Sequence, residues 1–223
     1  MTDGAAKPET LASAPLFDDG FRARLEDLIH WRRDVRRFQS GAVDGALIDE
    51  LIGLAARSPS VGNSQPWRFV KVADPKRRAA VIKNFEACNA DALKEYDGDQ
   101  AGRYASLKLA GLIEAPVHLA VFCDAQTSTG HGLGRKTMPE MLPYSVVGAV
   151  ATLWLAARAR GLGMGWVSII EPKAITDALE VPEDWALIAY LCIGYPQEEH
   201  LDPELERNRW QGRFDLADLI LER

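Results

Sequence analysis

Residues 146–168 read VVGAVATLWLAARARGLGMGWVS, and this stretch decides the fold class. Residues 146–160 are apolar on almost every side of a helix, the pattern of a helix buried in a large core or at an interface. Gly161 ends that helix, and residues 166–170 read as a strand, with Ser168 in its middle. Gly161, Gly163 and Gly165 superficially suggest a dinucleotide-binding loop. They follow a helix and precede a strand, the reverse of the required order, and their spacing is GxGxG where the fingerprint needs GxGxxG. They read instead as a tight turn that lets backbone approach closely.

Working outward, strands and helices intermix, which gives an α/β or α+β sandwich. On the N-terminal side, residues 21–33 form an amphipathic helix with Phe21, Leu25, Leu28 and Ile29 on one face. Asp44 caps a second helix, striped by Leu47, Ile48, Leu51, Ile52 and Leu54, which stops near Ser58-Pro59. Residues 60–66 are a polar loop and 67–72 a strand. Asp74-Pro75 opens a helix to about residue 87. Residues 90–102 read as polar and mobile, 104–113 as a helix, 117–123 as a buried strand and 126–139 as a loop or lid. On the C-terminal side come a short helix at 172–179, a strand at 186–195 and, from 198, a polar stretch suited to wrapping a partner subunit. There is no internal repeat and no clean linker. The expectation is one domain, 17–223, after a flexible extension at 1–16 that lacks the pattern of a signal peptide.

Composition excludes several classes. Of 223 residues, 47% are hydrophobic and 26% charged, enough for a sizeable core. The net charge of -6 argues against nucleic-acid binding, which needs a basic face. Cys88, Cys123 and Cys192 are far apart with no CxxC pair, which favours a reducing, cytoplasmic setting without disulfides. His30, His118, His131 and His200 show no metal-ligand spacing, so no metal is expected. No apolar run reaches the ~20 residues that span a bilayer, and the longest, 146–157, is too short, so no membrane association is expected.

Three constellations carry chemistry. Arg32-Arg33-Asp34-Val35-Arg36-Arg37-Phe38 holds four arginines. Arginine's planar fork suits bidentate phosphate binding, and Arg32, Arg33 and Arg36 can converge on one dianion, although a solvated charged face has the same composition. Asp34 is odd here. It either neutralises surplus charge or points elsewhere, towards chemistry. In Ser58-Pro59-Ser60-Val61-Gly62-Asn63-Ser64-Gln65-Pro66-Trp67, backbone N–H groups and small polar side chains can clasp a polar heterocycle; alone the segment is only a loop. Ser168 is either a buried serine satisfied by backbone or a functional hydroxyl.

The order of these motifs resembles the nitroreductase superfamily, over roughly residues 20–215. That resemblance implies FMN, an intertwined homodimer with FMN at the interface, and a nitroreductase-like fold. Arg32, Arg33 and Arg36 match the arginines that bind the FMN phosphate. Pro59, Ser60, Gly62 and Asn63 match the loop that contacts the flavin, usually that of the partner subunit. Arg207 or Arg209 matches a basic residue that family members add near the C-terminus. The segments RRDVRRF, SPSVGNSQPWRF, MPEMLPYSVVGAVATLWLAARARGLGMGWVSI and RNRWQGR further resemble the 5,6-dimethylbenzimidazole synthase branch. Common nitroreductases carry serine or another small residue where Asp34 stands.

That branch implies an oxygen-dependent fragmentation of reduced FMN to 5,6-dimethylbenzimidazole, the lower ligand of cobalamin, and erythrose 4-phosphate. FMNH2 is then the substrate, O2 the co-substrate and a separate NAD(P)H:flavin reductase the supplier. Asp34 is the implied base or proton shuttle, and Ser168 the implied hydrogen-bonding partner of ring or peroxide. The competing readings are a nitroreductase, quinone reductase or dehalogenase that recycles its FMN, and a flavin-binding protein without catalysis.

Overall fold

The computed structural model describes residues 14–223. Of the extension read at 1–16, residues 1–13 lie outside the described residues. In chain order the elements are α1 (Asp19–Trp31), α2 (Gly45–Ala55), β1 (Trp67–Lys71), α3 (Pro75–Leu93), α4 (Gly98–Ser106), β2 (Val117–Asp124), α5 (Met141–Arg158), β3 (Gly163–Val167), α6 (Pro172–Leu179), β4 (Trp185–Gly194) and α7 (Glu204–Arg207). The strands form one antiparallel sheet in the order β1-β2-β4-β3.

The two-residue period of a strand sorts side chains between two cores. Leu119, Val121 and Cys123 of β2, with Leu191 and Ile193 of β4, join the buried faces of α2 and α5. Ala120 and Phe122, with Tyr190 and Cys192, join Val81 of α3 and Ile175 and Leu179 of α6. Helices therefore cover both sides of the sheet, and the fold is the expected sandwich. A register shift opposite Val121 and Phe122 leaves Ile188 of β4 as the extra, unpaired residue of a bulge within this sheet.

Several boundaries depart from the sequence reading, each for a local reason. The first helix ends at Trp31 because Arg32 is extended (φ -70°, ψ 119°), and the next residues pair with β3 through Val35 N–H to Met164 O at 3.0 Å. The stretch read as mobile, 90–102, holds the start of α4, and α3 runs on to Leu93. The helix expected at 104–113 stops at Ser106. Leu112 and Ala115 are drawn into the core, and a Cβ on Gly111 would sit 2.4 Å from the Phe38 ring. Tertiary packing overrides the local pattern there.

The long apolar helix starts at Met141, with Pro143 tolerated in its first turn. Only one face is covered: Val146, Ala149, Val150, Leu153 and Ala157 are buried, while Tyr144, Val147 and Ala151 are exposed. At 18 residues and a mean hydropathy of 1.3, α5 is long and apolar enough to cross a membrane. Its buried face instead belongs to the core shared with α2 and the sheet. β3 begins earlier than expected, at Gly163, so two of the three glycines lie in the strand and only Gly161 (φ 73°) makes the turn. Ser168 falls one residue beyond β3 and is exposed, neither mid-strand nor buried.

Candidate active site

The arginine-rich segment lies along the edge of the sheet beside β3. Gly163 and Gly165 make that possible. A Cβ on Gly165 would meet the Val35 carbonyl oxygen at 2.2 Å, and one on Gly163 would meet Val35 Cγ2 at 2.8 Å. Side chains at either position would push the segment off the sheet. The glycine pattern that mimics a nucleotide loop is a groove for another stretch of backbone.

The segment walls a cavity of about 150 Å³ lined by Arg32, Arg33, Asp34 and Arg36 on one side and by Pro203, Glu204, Leu205 and Arg213 on the other. Three of the four arginines are held in place. The Arg32 guanidinium lies 4.9 Å from the centre of the Trp154 ring, and the indole N–H of Trp154 donates to Arg33 O at 3.2 Å. Arg33 Nε donates to Leu201 O at 2.8 Å. Arg36, whose side chain is only 11% exposed, donates to Asp34 Oδ2 at 2.8 Å and to Lys108 O at 2.9 Å. Asp34 Oδ1 accepts from the Trp166 backbone N–H at 2.9 Å. Asp34 is thereby aimed by β3 on one oxygen and by Arg36 on the other.

The cavity sets four arginines against two carboxylates, Asp34 and Glu204. Burial lowers the pKa of the Arg33 guanidinium from its ordinary value, and the charges of Arg213 and Arg32 lower it further. Like charges gathered in one pocket are stabilised when a phosphate enters, by charge-assisted hydrogen bonds. The donor set therefore fits the phosphate of FMN.

The C-terminal contribution differs from the sequence reading. Arg213 lines the cavity. Arg207 pairs with Asp202 at 3.0 Å and lines a smaller neighbouring cavity of about 40 Å³ together with Arg33, Asp34 and Arg36, as well as Arg37, Glu198 and His200. Arg209 lines neither cavity; it adopts a left-handed turn (φ 55°), and its carbonyl accepts from Arg103 Nη1 at 3.3 Å. RNRWQGR offers three arginines at unequal distances from a turn, and only the backbone path after Arg209 selects among them.

The loop at 58–67 is rigid in a different place. Gly62, Asn63 and Gln65 all have positive φ (58°, 52° and 46°). Val61 N–H donates to Ser145 Oγ at 3.1 Å, and Ser58 Oγ shares a hydrogen bond with Thr152 Oγ1 at 2.8 Å, so the loop is seated on α5. A Cβ on Gly130 would lie 2.4 Å from Gly62 O, which locks the loop to the 127–134 segment. Pro59, Ser60, Gly62 and Asn63 do not line the arginine cavity, and neither does Ser168. One chain thus brings Arg32, Arg33, Asp34, Arg36 and Arg213 together and presents the loop elsewhere.

Residues 29–195 match the model of the Nitroreductase family. A 5,6-dimethylbenzimidazole synthase of Rhodospirillum rubrum is 56% identical over 203 residues, covering 91% of this chain and 96% of the relative. One from Rhodobacter capsulatus is 47% identical over 195 residues, covering 87% and 94%. Among solved structures, an oxidised iodotyrosine deiodinase bound to FMN and 3-iodo-L-tyrosine matches with a TM-score of 0.67 at 26% identity, over 79% of this chain and 91% of the other.

Proposed function

This chain belongs to the nitroreductase family, and from that premise we propose that it fragments reduced FMN with O2 to 5,6-dimethylbenzimidazole and erythrose 4-phosphate. The observation that carries the reading is the 56% identity to a 5,6-dimethylbenzimidazole synthase over 91% of the chain, with an arginine-lined cavity that also holds the Asp34 carboxylate. The flavin-recycling alternative has weaker support, since the deiodinase shares only 26% identity.

When bound, reduced FMN supplies both the electrons for O2 and the carbon skeleton of the product. Arg32, Arg33, Arg36 and Arg213 hold its phosphate. Arg36 also braces Asp34, and the Trp166 N–H fixes its second oxygen. A carboxylate has about four acceptor positions, so two occupied ones leave Asp34 free to take a proton from the ribityl chain. Ser168, exposed at the end of β3, offers its hydroxyl to the ring. A separate NAD(P)H:flavin reductase delivers FMNH2.

The functional unit is a homodimer. Phe21, Leu25 and Ile29 of α1, Tyr144 and Val147 of α5, and Leu216, Leu219 and Ile220 near the C-terminus are exposed apolar residues that a second copy covers. The 58–67 loop then reaches the partner's flavin, which accounts for its separation from the arginines of its own chain.

Chromatography of the flavin after aerobic incubation tests the activity. Loss of FMN with appearance of dimethylbenzimidazole is the expected result. Consumption of NAD(P)H with intact FMN would instead mark a recycling reductase.

A further inference from the structure

The C-terminal segment is joined to α4 by an aromatic cluster distant in sequence from the arginine motif. Trp210 meets Tyr96 edge-on at 5.3 Å between ring centres and Tyr104 at 6.1 Å, while Tyr96 and Tyr104 stack at 4.9 Å. Tyr104 is buried, and its hydroxyl donates to Asn89 Oδ1 at 2.8 Å, which ties the cluster to α3. The Trp210 N–H donates to Leu205 O at 2.8 Å, closing the turn that Arg209 makes in its left-handed conformation. Arg103 of α4 adds a hydrogen bond to Arg209 O. Three residues after Trp210 the chain delivers Arg213 to the cavity. Residues 211–223 are exposed in the single chain, so within that chain the aromatic cluster is the nearest firm anchor for Arg213.

We propose that Trp210, gripped by Tyr96 and Tyr104, is a positioning residue that sets Arg213 on the phosphate of the flavin substrate. The proposal rests on the reading of the arginine cavity as the FMN phosphate site. An arginine on an exposed chain loses side-chain and backbone freedom on meeting its ligand. Anchoring the chain three residues away removes part of that cost before binding, which is preorganisation. The same cluster links α4 to the site from a second direction, since Arg36 donates to the carbonyl of Lys108, two residues beyond α4. Both strands of chain that flank the cavity are thereby held by one knot of aromatic rings.

Anaerobic titrations with reduced FMN and with reduced riboflavin, which lacks the phosphate, test this on the full chain. Arg213→Ala is expected to weaken FMNH2 binding about tenfold, the scale of one hydrogen bond to a charged group, and to leave reduced riboflavin unaffected. Trp210→Ala should reproduce most of that loss with the same selectivity. The double variant should lose no more than Arg213→Ala alone, and Trp210→Phe should recover most of the wild-type affinity. With O2 admitted, Trp210→Ala should raise KM for FMNH2 with kcat little changed. Wild-type FMNH2 affinity in Trp210→Ala, beside a weakened Arg213→Ala, would overturn the positioning role. Equal loss of both ligands in Trp210→Ala would overturn it too, as a general structural effect. Wild-type affinity in Arg213→Ala would overturn the phosphate-site reading itself.

Discussion

At the scale of single residues, Asp34 and Arg36 form the pair on which the proposed chemistry turns. Both oxygens of Asp34 are held, one by the Trp166 N–H and one by Arg36 Nε. Asn in its place keeps the first contact through its carbonyl but turns an NH2 group towards Arg36, donor against donor. Asp34→Asn is expected to bind FMNH2 with a loss of less than about tenfold, because the arginine cavity persists, while the yield of dimethylbenzimidazole per bound flavin falls on the order of 10²–10⁴-fold, the usual weight of a general acid–base group. Yield per bound FMNH2 under O2 checks this, and a wild-type yield would remove Asp34 from the chemistry. Arg36→Ala reaches further than a phosphate contact. It frees Asp34 and leaves the Lys108 carbonyl unpaired in a part-buried place. Both flavin affinity and thermal stability should fall, the latter by about 1–3 kcal/mol. Sequence alone marked these residues by the oddness of a carboxylate among arginines. It had no access to the backbone N–H of Trp166, 132 positions away, that aims one of them.

At the scale of elements, the glycines of β3 decide where the arginine segment lies. Gly165→Ala would place a methyl group 2.2 Å from the Val35 carbonyl. It should cost about 1–3 kcal/mol through overpacking and weaken flavin binding along with it. Gly53→Ala is the control: it is exposed in the middle of α2 with nothing within 4 Å of a new Cβ, and should stabilise by about 0.5–1 kcal/mol. Thermal melts of both variants, with flavin titrations, check the pair. The helix stop near Gly161 and the apolar character of α5 were legible in the sequence because they follow local rules of propensity and composition. The entry of Gly163 into a strand was not, because that assignment depends on its pairing with Gly194 of β4, a later part of the chain. The same limit explains the first half of α4, residues 98–102, whose polar composition reads as mobile until the helix is seen to carry Tyr104 into its contacts with Tyr96 and Trp210.

At the scale of the whole molecule, two consequences follow from what is buried and what is left bare. His118 lies inside the core, its Nδ1 against the Tyr190 hydroxyl at 3.0 Å. Burial, aided by the charge of Arg78, pushes its pKa down to about 4, against the pull of the Leu112 and Ala115 carbonyls. In the unfolded chain the same imidazole takes its proton near pH 6.5. Its contribution to stability is therefore complete above about pH 6.5 and is lost as pH falls towards 4, by roughly 3 kcal/mol at the limit. Urea midpoints should fall across that window in the wild type and fall less in His118→Gln; parallel curves would assign the acid sensitivity to other groups. The bare apolar residues of α1, α5 and the C-terminal stretch carry the other consequence. Sedimentation should find a dimer, and a monomer that binds flavin with full affinity would contradict the shared site. The sequence indicated this surface through a helix apolar on all sides, only one of which the single chain covers.

The central claim is that FMNH2 is consumed. Its most direct test supplies FMNH2 by photoreduction, with no NAD(P)H present, admits O2 and counts both flavin lost and dimethylbenzimidazole formed. One dimethylbenzimidazole is expected for each FMN that disappears, with product formation abolished when O2 is withheld. Full recovery of FMN after reoxidation, with no dimethylbenzimidazole, would contradict it.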